Sequence, residues 1–167
     1  MKTVLWATLS ANGNYASARP GHPPRPEALK DFTILATASG NFIAGRKTFE
    51  GFRASGAGKV FQNIDIVVVS GKGASLPGVH VVSSPREALR HMKDKGFEVA
   101  LLSGGETLHK AFLAEDLIDE VIFNFAPVFE RRGMNLVLPS KQYKEVQLIE
   151  LKDLGGGVVQ HRYLVKQ

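Results

Sequence analysis

The order in which hydrophobic patterns follow one another constrains the fold of this chain more than any other feature. Up to about residue 115, short β-branched runs alternate with segments whose apolar residues recur every three or four positions. This alternation is typical of strands connected by helices, and it predicts a mostly parallel sheet with helices on both faces. From Ile118 onward only strand patterns occur, so we expect antiparallel strands at one edge.

Eight segments carry strand patterns, with turn signals such as Asn12-Gly13 and Gly155-Gly156-Gly157 between them. The run Ile64–Val69 is almost continuously apolar, as expected for a strand that is covered on both faces. The predicted strands are Thr3–Leu9, Asn41–Ala44, Ile64–Val69, Val79–Val82, Phe97–Leu102, Ile118–Phe129, about Lys144–Leu151, and Val158–Val165.

Four segments carry helix patterns. The first is predicted from Pro26 to Gly40, with an apolar side formed by Leu29, Phe32, Thr33 and Ala36. The second opens at Lys47 and fades into the segment 54–58.

The third predicted helix starts with a capping box, in which Ser84 accepts from the Glu87 amide while Glu87 reaches back, and it runs to about Lys95. The fourth is predicted over Glu106–Glu115, after a tight turn at Ser103-Gly104-Gly105, and buries Leu108, Phe112 and Leu113. The proline-rich segment Ser17–Arg25 is interpreted as a surface loop near a site.

Length and composition restrict the class of protein. With 167 residues, the chain is expected to form a single domain, 1–167. No apolar run approaches the roughly 20 residues of a membrane-spanning helix, so we expect a cytoplasmic protein with no membrane partner. The absence of cysteine excludes disulfides and thiolate zinc sites, and the dispersed histidines lack metal-ligand spacing, so no metal is expected.

The net charge of +5 favours an anionic partner. Lysine and arginine are scattered along the chain rather than clustered, which argues against nucleic acid and favours a phosphorylated small molecule. The adjacent pair Arg131-Arg132 is compatible with an edge guard, a subunit contact or a clamp for a substrate phosphate. Asp119 and Glu120 are interpreted as features of a strand start.

Three segments that follow strands carry candidate phosphate ligands, because ligands of open α/β sheets bind beyond the carboxyl ends of the strands. Gly104-Gly105 allows a diphosphate to approach a helix N-terminus, although a simple tight turn explains the same residues. Segment 45–48, Gly-Arg-Lys-Thr, places two cations at a helix start, where a solvated helix end is the alternative. Segment 70–72, Ser-Gly-Lys, could contact a ribose 2′-phosphate or be solvated.

The first half of the chain resembles dihydrofolate reductases. Asn41–Glu50, with the sequence NFIAGRKTFE, looks like their strand-to-helix cofactor motif, and Pro26–Ala36 looks like their substrate-side helix. The second half resembles the pyrimidine reductase of riboflavin biosynthesis more closely. The matching segments are Val99–Leu108, Leu117–Val121 and Ala126–Phe129, with Ser10-Ala11-Asn12-Gly13 at the position of that family's Ser-x-Asp-Gly.

This resemblance covers essentially the whole chain and implies a dihydrofolate reductase-like three-layer α/β fold, NADPH as hydride donor and a homodimer. The residues that it implies for the cofactor site are Ala7, Gly45, Arg46, Lys47, Thr48, Ser70, Gly71, Lys72, Ser103, Gly104, Gly105, Glu106 and Thr107.

Two departures from these families affect the expected substrate. The carboxylate that holds the pterin in dihydrofolate reductases falls on Ala28, with Glu27 one position early, which argues against a folate reductase. Asn12 replaces the usual aspartate of the riboflavin branch. The expected activity is hydride transfer to a small heterocyclic or ribosylaminopyrimidine-type substrate. A folate reductase with a displaced acid and a non-catalytic nucleotide-binding protein are the alternatives.

The proton source is not evident from the sequence, because the cofactor carries the difficult part of a hydride transfer. The candidate catalytic residues are Glu27, Asn12 and Ser10, the last two as ligands of a water molecule. Asp31 and His22 are further candidates for the proton donor.

Overall fold

The computed structural model describes residues 1–16, 25–73, 75–131 and 143–166. These residues form eight strands, four α-helices and a 3₁₀-helix at Ala57–Phe61. The strands are β1 (Lys2–Ser10), β2 (Asn41–Gly45), β3 (Asp65–Val69), β4 (His80–Val82), β5 (Val99–Gly104), β6 (Glu120–Ala126), β7 (Val146–Gly155) and β8 (Val158–Val165). The helices are α1 (Pro26–Ser39), α2 (Arg46–Ala54), α3 (Pro85–Asp94) and α4 (Glu106–Ala114).

The eight strands form one sheet in the order β4-β3-β2-β5-β1-β6-β8-β7. The six strands from β4 to β6 are all parallel, whereas β8 is antiparallel to both β6 and β7. The prediction of a mostly parallel sheet with antiparallel strands at its C-terminal edge is therefore confirmed. Because β2, β5, β1 and β6 are parallel neighbours, their carboxyl ends share one edge of the sheet. Strands β5 and β1 lie at the centre of the sheet.

Helices cover both faces of the sheet, as the sequence predicts. On one face, called the α1 face here, Phe32 of α1 and Phe49 of α2 pack with strand residues such as Val4 and Leu101. On the opposite face, called the α4 face, side chains of α3 and α4 pack with Leu5 and Leu102. Neighbouring residues of a strand point to opposite faces, so each central strand contributes to both cores.

Helix α1 begins at Pro26 and ends before Gly40, which has a φ of 73° and donates its amide to Ala36. The buried side of α1 consists of Ala28, Phe32 and Ala36. The predicted apolar side was partly wrong, because Leu29 is exposed. Ala28, one residue earlier, lies a full turn before Phe32 and takes the buried position instead.

Helix α3 has the predicted N-terminal cap with one difference. The Ser84 hydroxyl accepts a hydrogen bond from the Glu87 amide at 3.3 Å. The Glu87 carboxylate accepts from the backbone amide of Ser83 at 2.9 Å rather than from that of Ser84. These contacts lower the pKa of Glu87, chiefly through the Ser83 amide and hydroxyl.

Strand β5 corrects the prediction of a tight turn at Ser103-Gly104-Gly105. Ser103 and Gly104 belong to the strand, because Gly104 pairs with Ala44 of β2 after a register shift. The peptide bond between Gly104 and Gly105 is cis. The helix then starts directly at Glu106.

The C-terminal strands are shifted relative to the sequence prediction. Strand β6 ends at Ala126, before Pro127, which has no amide hydrogen for a ladder. Strand β7 runs to Gly155, and the three glycines 155–157 have positive φ values, as expected for the predicted turn. Most of the predicted loop 17–25, with His22, lies outside the described residues, as does Arg132. Among the described residues, no helix is long and apolar enough to cross a membrane.

Candidate active site

The predicted glycine segments of β2 and β5 lie side by side at the carboxyl edge of the sheet. A Cβ atom added to Gly45 would stand 3.8 Å from the Gly105 nitrogen and 3.9 Å from the Gly104 oxygen. A Cβ atom on Gly105 would stand 3.1 Å from the Thr48 hydroxyl oxygen, tighter than most Cβ contacts. The structure therefore brings together Gly45, Thr48, Gly104 and Gly105.

Two helix N-termini meet at these glycines. Helix α2 starts after Gly45 and helix α4 after Gly105, and neither has a hydrogen bond from a capping side chain. The first turn of α2 has no acidic residue, and its exposed Arg46 bonds to Glu50 at 2.9 Å. The free backbone amides and the positive end of each helix dipole favour an anion at this position.

Glu106 is a negative charge at the start of α4. Its side chain is buried and forms an ion pair with Lys110, one turn further along the helix. Among the described residues, its second carboxylate oxygen has no hydrogen-bond partner. The backbone amide of Glu106, in the first turn of α4, is a donor that it can offer to a ligand at this helix start.

A buried polar pair lies under the start of α4. The Tyr15 hydroxyl, from the segment after β1, is 2.7 Å from Nδ1 of His109. Burial lowers the pKa of His109 to about 3, so the imidazole is neutral at physiological pH. Burial, and then the Glu106 carboxylate, raise the pKa of Tyr15. The pair ties the exit of β1 to α4, and the sequence offered no signal for it.

The remaining predicted cofactor residues, apart from Ala7, lie near the same edge of the sheet. Ser70, Gly71 and Lys72 follow β3, which pairs with β2 through Val69 and Gly45. Ser70 is buried, whereas the two residues after it are exposed. The Ser103 hydroxyl donates to the Ile43 carbonyl at 3.2 Å, so it is occupied by the sheet. Thr107 is exposed on the first turn of α4, Lys47 is exposed on α2, and Ala7 lies buried in the middle of β1.

Ser10 and Asn12, two of the predicted catalytic residues, bond to each other. The Ser10 hydroxyl donates to Oδ1 of Asn12 at 2.6 Å and accepts from the Asn14 amide at 3.1 Å. The Asn12 side chain also exchanges two hydrogen bonds with the backbone of Glu130. In this structure both side chains hold the exit turn of β1 against the segment after β6.

Glu27, the third predicted catalytic residue, lies on the first turn of α1 beside the turn between β7 and β8. A Cβ atom on Gly156 would overlap a Glu27 carboxylate oxygen, which shows that the carboxylate packs on this glycine. Glu27 therefore has different neighbours from Ser10 and Asn12.

Sequence reasoning missed a polar network that connects α1 with three strands. Oδ2 of Asp31 accepts from Nε1 of Trp6 at 3.1 Å and from Nε2 of Gln160 at 2.7 Å. Gln160 also donates to Oδ1 of Asn124 at 2.8 Å, and Asn124 donates to the Ala7 carbonyl at 3.2 Å. The one available signal was a lone asparagine inside the apolar run of β6, a position where an unpaired amide would be costly.

The network lies beside two partly exposed residues of the central strand β1. Trp6 and Thr8 belong to the central strand β1, yet both are partly exposed, whereas Leu5, Ala7 and Leu9 on the α4 face are buried. Residues two apart on a strand share a face, so the partly exposed Trp6 and Thr8 both lie on the α1 face. Among the described residues, no group of three acidic or histidine side chains is arranged to hold a metal.

The strand order and the helices on both faces define a dihydrofolate reductase-like fold. The family model of the RibD C-terminal domain matches residues 6–159, and the chain belongs to this family. A comparison with curated protein sequences finds no significant match.

Solved structures with the same fold have low sequence identity to the chain. A Shewanella sp. PV-4 protein described as a riboflavin biosynthesis protein aligns with a TM-score of 0.81 at 20% identity, covering 100% of both chains. Dihydrofolate reductase from Enterococcus faecalis, complexed with NADP(H), aligns with a TM-score of 0.74 at 18% identity, covering 99% of this chain and 97% of the other.

A bifunctional enzyme of Thermotoga maritima, a diaminohydroxyphosphoribosylaminopyrimidine deaminase and 5-amino-6-(5-phosphoribosylamino)uracil reductase, aligns with a TM-score of 0.72 at 13% identity. The alignment covers 99% of this chain and 56% of the Thermotoga chain. The family match and the structural alignments thus agree on a RibD C-terminal domain with the dihydrofolate reductase-like fold.

Proposed function

We propose that this chain is an NADPH-dependent reductase that transfers a hydride to a small heterocyclic substrate of the ribosylaminopyrimidine type. The family supports the reaction class, and the fold relatives include an NADP(H) complex and a phosphoribosylaminouracil reductase. The observation that carries the proposal is the meeting of two uncapped helix N-termini at Gly45 and Gly105.

The residues at this edge fit a dinucleotide diphosphate. The two helix starts offer free amides, and Gly45 and Gly105 keep the space between them clear of side chains. Arg46 and Lys47 add positive charge at a helix end where cations oppose the helix dipole, and Glu50 balances the charge of Arg46 in part. The buried carboxylate of Glu106 would repel a phosphate, but Lys110 offsets its charge.

The chain's residues would bind and orient both reactants, while bound NADPH supplies the hydride. The residues that would hold the diphosphate are Gly45, Arg46, Thr48, Gly105 and Thr107. The further predicted cofactor ligands are Ala7, Lys47, Ser70, Gly71, Lys72, Ser103, Gly104 and the Glu106 amide. Ser10 and Asn12 would position the exit turn of β1. Glu27 remains the proposed residue for holding or supplying a proton.

Isothermal titration calorimetry with NADPH and NADH tests the cofactor. We expect binding of NADPH and weaker binding of NADH, with Arg46→Gln reducing NADPH affinity about tenfold because a charge-assisted hydrogen bond contributes ~1.5–3 kcal/mol. Arg53→Gln, which removes the same charge at the other end of α2, is the matched control and should leave the affinity unchanged. No heat with NADPH would contradict the proposal.

Turnover assays then distinguish the substrates. NADPH oxidation with 5-amino-6-(5-phosphoribosylamino)uracil is the expected result. Oxidation with dihydrofolate alone would identify a folate reductase with a displaced acid, and tight NADPH binding without turnover of either would favour a nucleotide-binding protein that is not catalytic.

We further propose that the protein is a cytoplasmic homodimer. The part of the sheet formed by β6, β8 and β7 presents aromatic and aliphatic side chains on the α4 face, where α3 and α4 pack on other strands. Phe123, Phe125, His161 and Tyr163 form a continuous set of ring contacts there. Leu148 and Leu151 of β7 pair with Tyr163 and His161 and extend this face with exposed apolar surface.

A further inference from the structure

The buried pair of Tyr15 and His109 holds the start of α4 from inside the protein. The Tyr15 hydroxyl lies 2.7 Å from Nδ1 of His109, whose side chain is fully buried. The backbone amide of His109 donates to the Gly105 carbonyl at 3.0 Å and so closes the first turn of the helix. One residue therefore connects a contact in the core with the turn that carries the free amides.

This arrangement takes the place of an ordinary helix cap. A capping side chain fixes a helix start by accepting from its free amides, which are then no longer available to an anion. The N-cap residue of α4 is Gly105, which has no side chain to cap with. The Tyr15–His109 bond holds the helix through its fourth residue instead, so the first turn is fixed while its amides stay open to a ligand.

The other end of the pair is attached to a central strand of the sheet. Tyr15 forms a bridge with Leu9 of β1, and the amide of Ala16 donates to the Thr8 carbonyl at 3.0 Å. Strand β1 lies between β5 and β6 and is paired with both. The start of α4 is therefore connected to a rigid part of the molecule, as a preorganised binding site requires.

A histidine at this buried position costs stability. Among the described residues, Nε2 of His109 has no hydrogen-bond partner, although the atom is buried. A leucine would fill a similar space without leaving a buried polar atom unpaired. A polar pair that carries this cost, at a helix start beside the proposed anion site, indicates a role other than packing.

We propose that Tyr15 and His109 are positioning residues for the dinucleotide diphosphate, an inference that rests on the proposed reductase function. They act through the first turn of α4, because a helix start without this bond would spend part of its time in arrangements that do not match the diphosphate. The bond also adds no charge to the anion site. Burial lowers the pKa of His109 to about 3, so the imidazole is neutral at physiological pH.

A purely structural role of the pair predicts a different response to substitution. The double variant Tyr15→Phe/His109→Leu replaces both partners by apolar groups of similar size, so that no polar atom of the pair is left buried without a partner. Such a replacement is expected to keep or raise the free energy of unfolding. If the pair only stabilises the fold, the NADPH affinity then stays the same. If the pair positions α4, the affinity falls although the protein is no less stable.

Calorimetric titration with NADPH, combined with urea unfolding of the same samples, tests the proposal. We expect the double variant to bind NADPH about three- to tenfold more weakly than the parent protein, because a neutral hydrogen bond that fixes the helix start is lost. Tyr15→Phe alone removes a single oxygen atom and should show a similar decrease, so the test does not depend on the double variant. His109→Asn should retain most of the affinity, since its amide offers an acceptor or a donor close to the position of Nδ1.

Tyr163→Phe is the matched control. The Tyr163 hydroxyl is 2.9 Å from Nδ1 of His161, which makes a second Tyr–His pair, but this pair lies on β8 rather than beside α4. The control should bind NADPH like the parent protein.

Equal NADPH affinity of the parent protein, Tyr15→Phe and the double variant would overturn the positioning role and leave the cofactor proposal intact. An affinity that follows the free energy of unfolding across the variants, rather than the presence of the hydrogen bond, would overturn it as well. Absence of NADPH binding to the parent protein would overturn both proposals, so the two failures are distinguished in the same experiment.

Discussion

At the scale of single residues, Gly156 links two parts of the candidate site. It lies in the turn between β7 and β8 with a φ of 59°, and the Glu27 carboxylate packs on the space that a side chain would fill. A residue other than glycine at this position would bear the strain of the left-handed conformation and displace Glu27. The turn thus requires glycine for both its backbone and its contact.

Gly156→Ala is expected to lower the free energy of unfolding by about 1–2 kcal/mol, the cost of a left-handed conformation for a residue with a Cβ atom. Gly51→Ala is the matched control, because Gly51 lies inside α2 with open space at its Cβ position. It should instead stabilise the protein by about 0.5–1 kcal/mol through helix propensity. Urea unfolding measures both, and a stabilising effect of Gly156→Ala would show that the turn tolerates the change.

At the scale of elements, the β7–β8 hairpin differs from the rest of the sheet. Its strands are long, but β7 is exposed along most of its length, and Leu151 is 60% exposed. Helices pack on both faces of the central strands, whereas none of the described helices packs on the aromatic cluster that the β6–β8–β7 part carries on the α4 face. This difference is the basis for placing a dimer contact there.

Leu151→Lys is expected to convert the proposed homodimer to a monomer, because a two-fold interface would place two buried lysines near each other. Ile34→Lys on α1 is the matched control, since Ile34 is 59% exposed, almost the same as Leu151, but lies on the other side of the molecule. Sedimentation velocity measures the masses. A monomeric parent protein, or a dimer that persists in Leu151→Lys, would contradict this interface.

At the scale of the whole molecule, the buried His109 couples stability to pH. Its imidazole is neutral in the folded protein, because burial lowers the pKa to about 3 from the ordinary 6.5. Between these two values the unfolded chain takes up a proton that the folded protein does not bind. The free energy of unfolding therefore falls as the pH decreases through this range.

His109→Gln should flatten the decrease in unfolding free energy between pH 6.5 and about 3, where His109 contributes a slope of at most about 1.4 kcal/mol per pH unit. The variant is less stable at neutral pH, so the slope rather than the absolute stability is compared. His80→Gln removes an exposed imidazole and serves as the control, with a slope close to that of the parent protein. Urea unfolding at several pH values measures the slopes, and equal slopes for all three proteins would contradict the assignment to His109.

Hydrophobic periodicity predicted an element correctly where the surroundings are the same along its whole buried side. The apolar run Ile64–Val69 identified β3, and Leu108, Phe112 and Leu113 were correctly predicted as the buried side of α4. It failed where a long-range partner decides the geometry. Gly104 belongs to a strand because Ala44 pairs with it, and no local signal in the sequence contains that pairing.

In the candidate site, too, local features were predicted correctly and long-range contacts were not. The sequence predicted that Gly45 and Gly104-Gly105 follow strands and precede helices, and the sheet order then placed them side by side. Ser10 and Asn12 were predicted as catalytic, and their bonds to each other and to Glu130 could not be foreseen, because Glu130 is more than a hundred residues away. For the same reason Asn124 and Gln160 were missed.

The sequence by itself determined the types and the order of the elements, since these follow from local periodicity, turn residues and helix caps. With them it determined the fold class, because an alternating β/α pattern with a β tail leaves few ways to build a sheet. Only the tertiary structure decided which side chains meet. The Trp6–Asp31–Gln160 bonds, the contact of Glu27 with Gly156 and the burial of His109 each join segments distant in sequence, and such contacts depend on strand order and helix placement rather than on any local pattern.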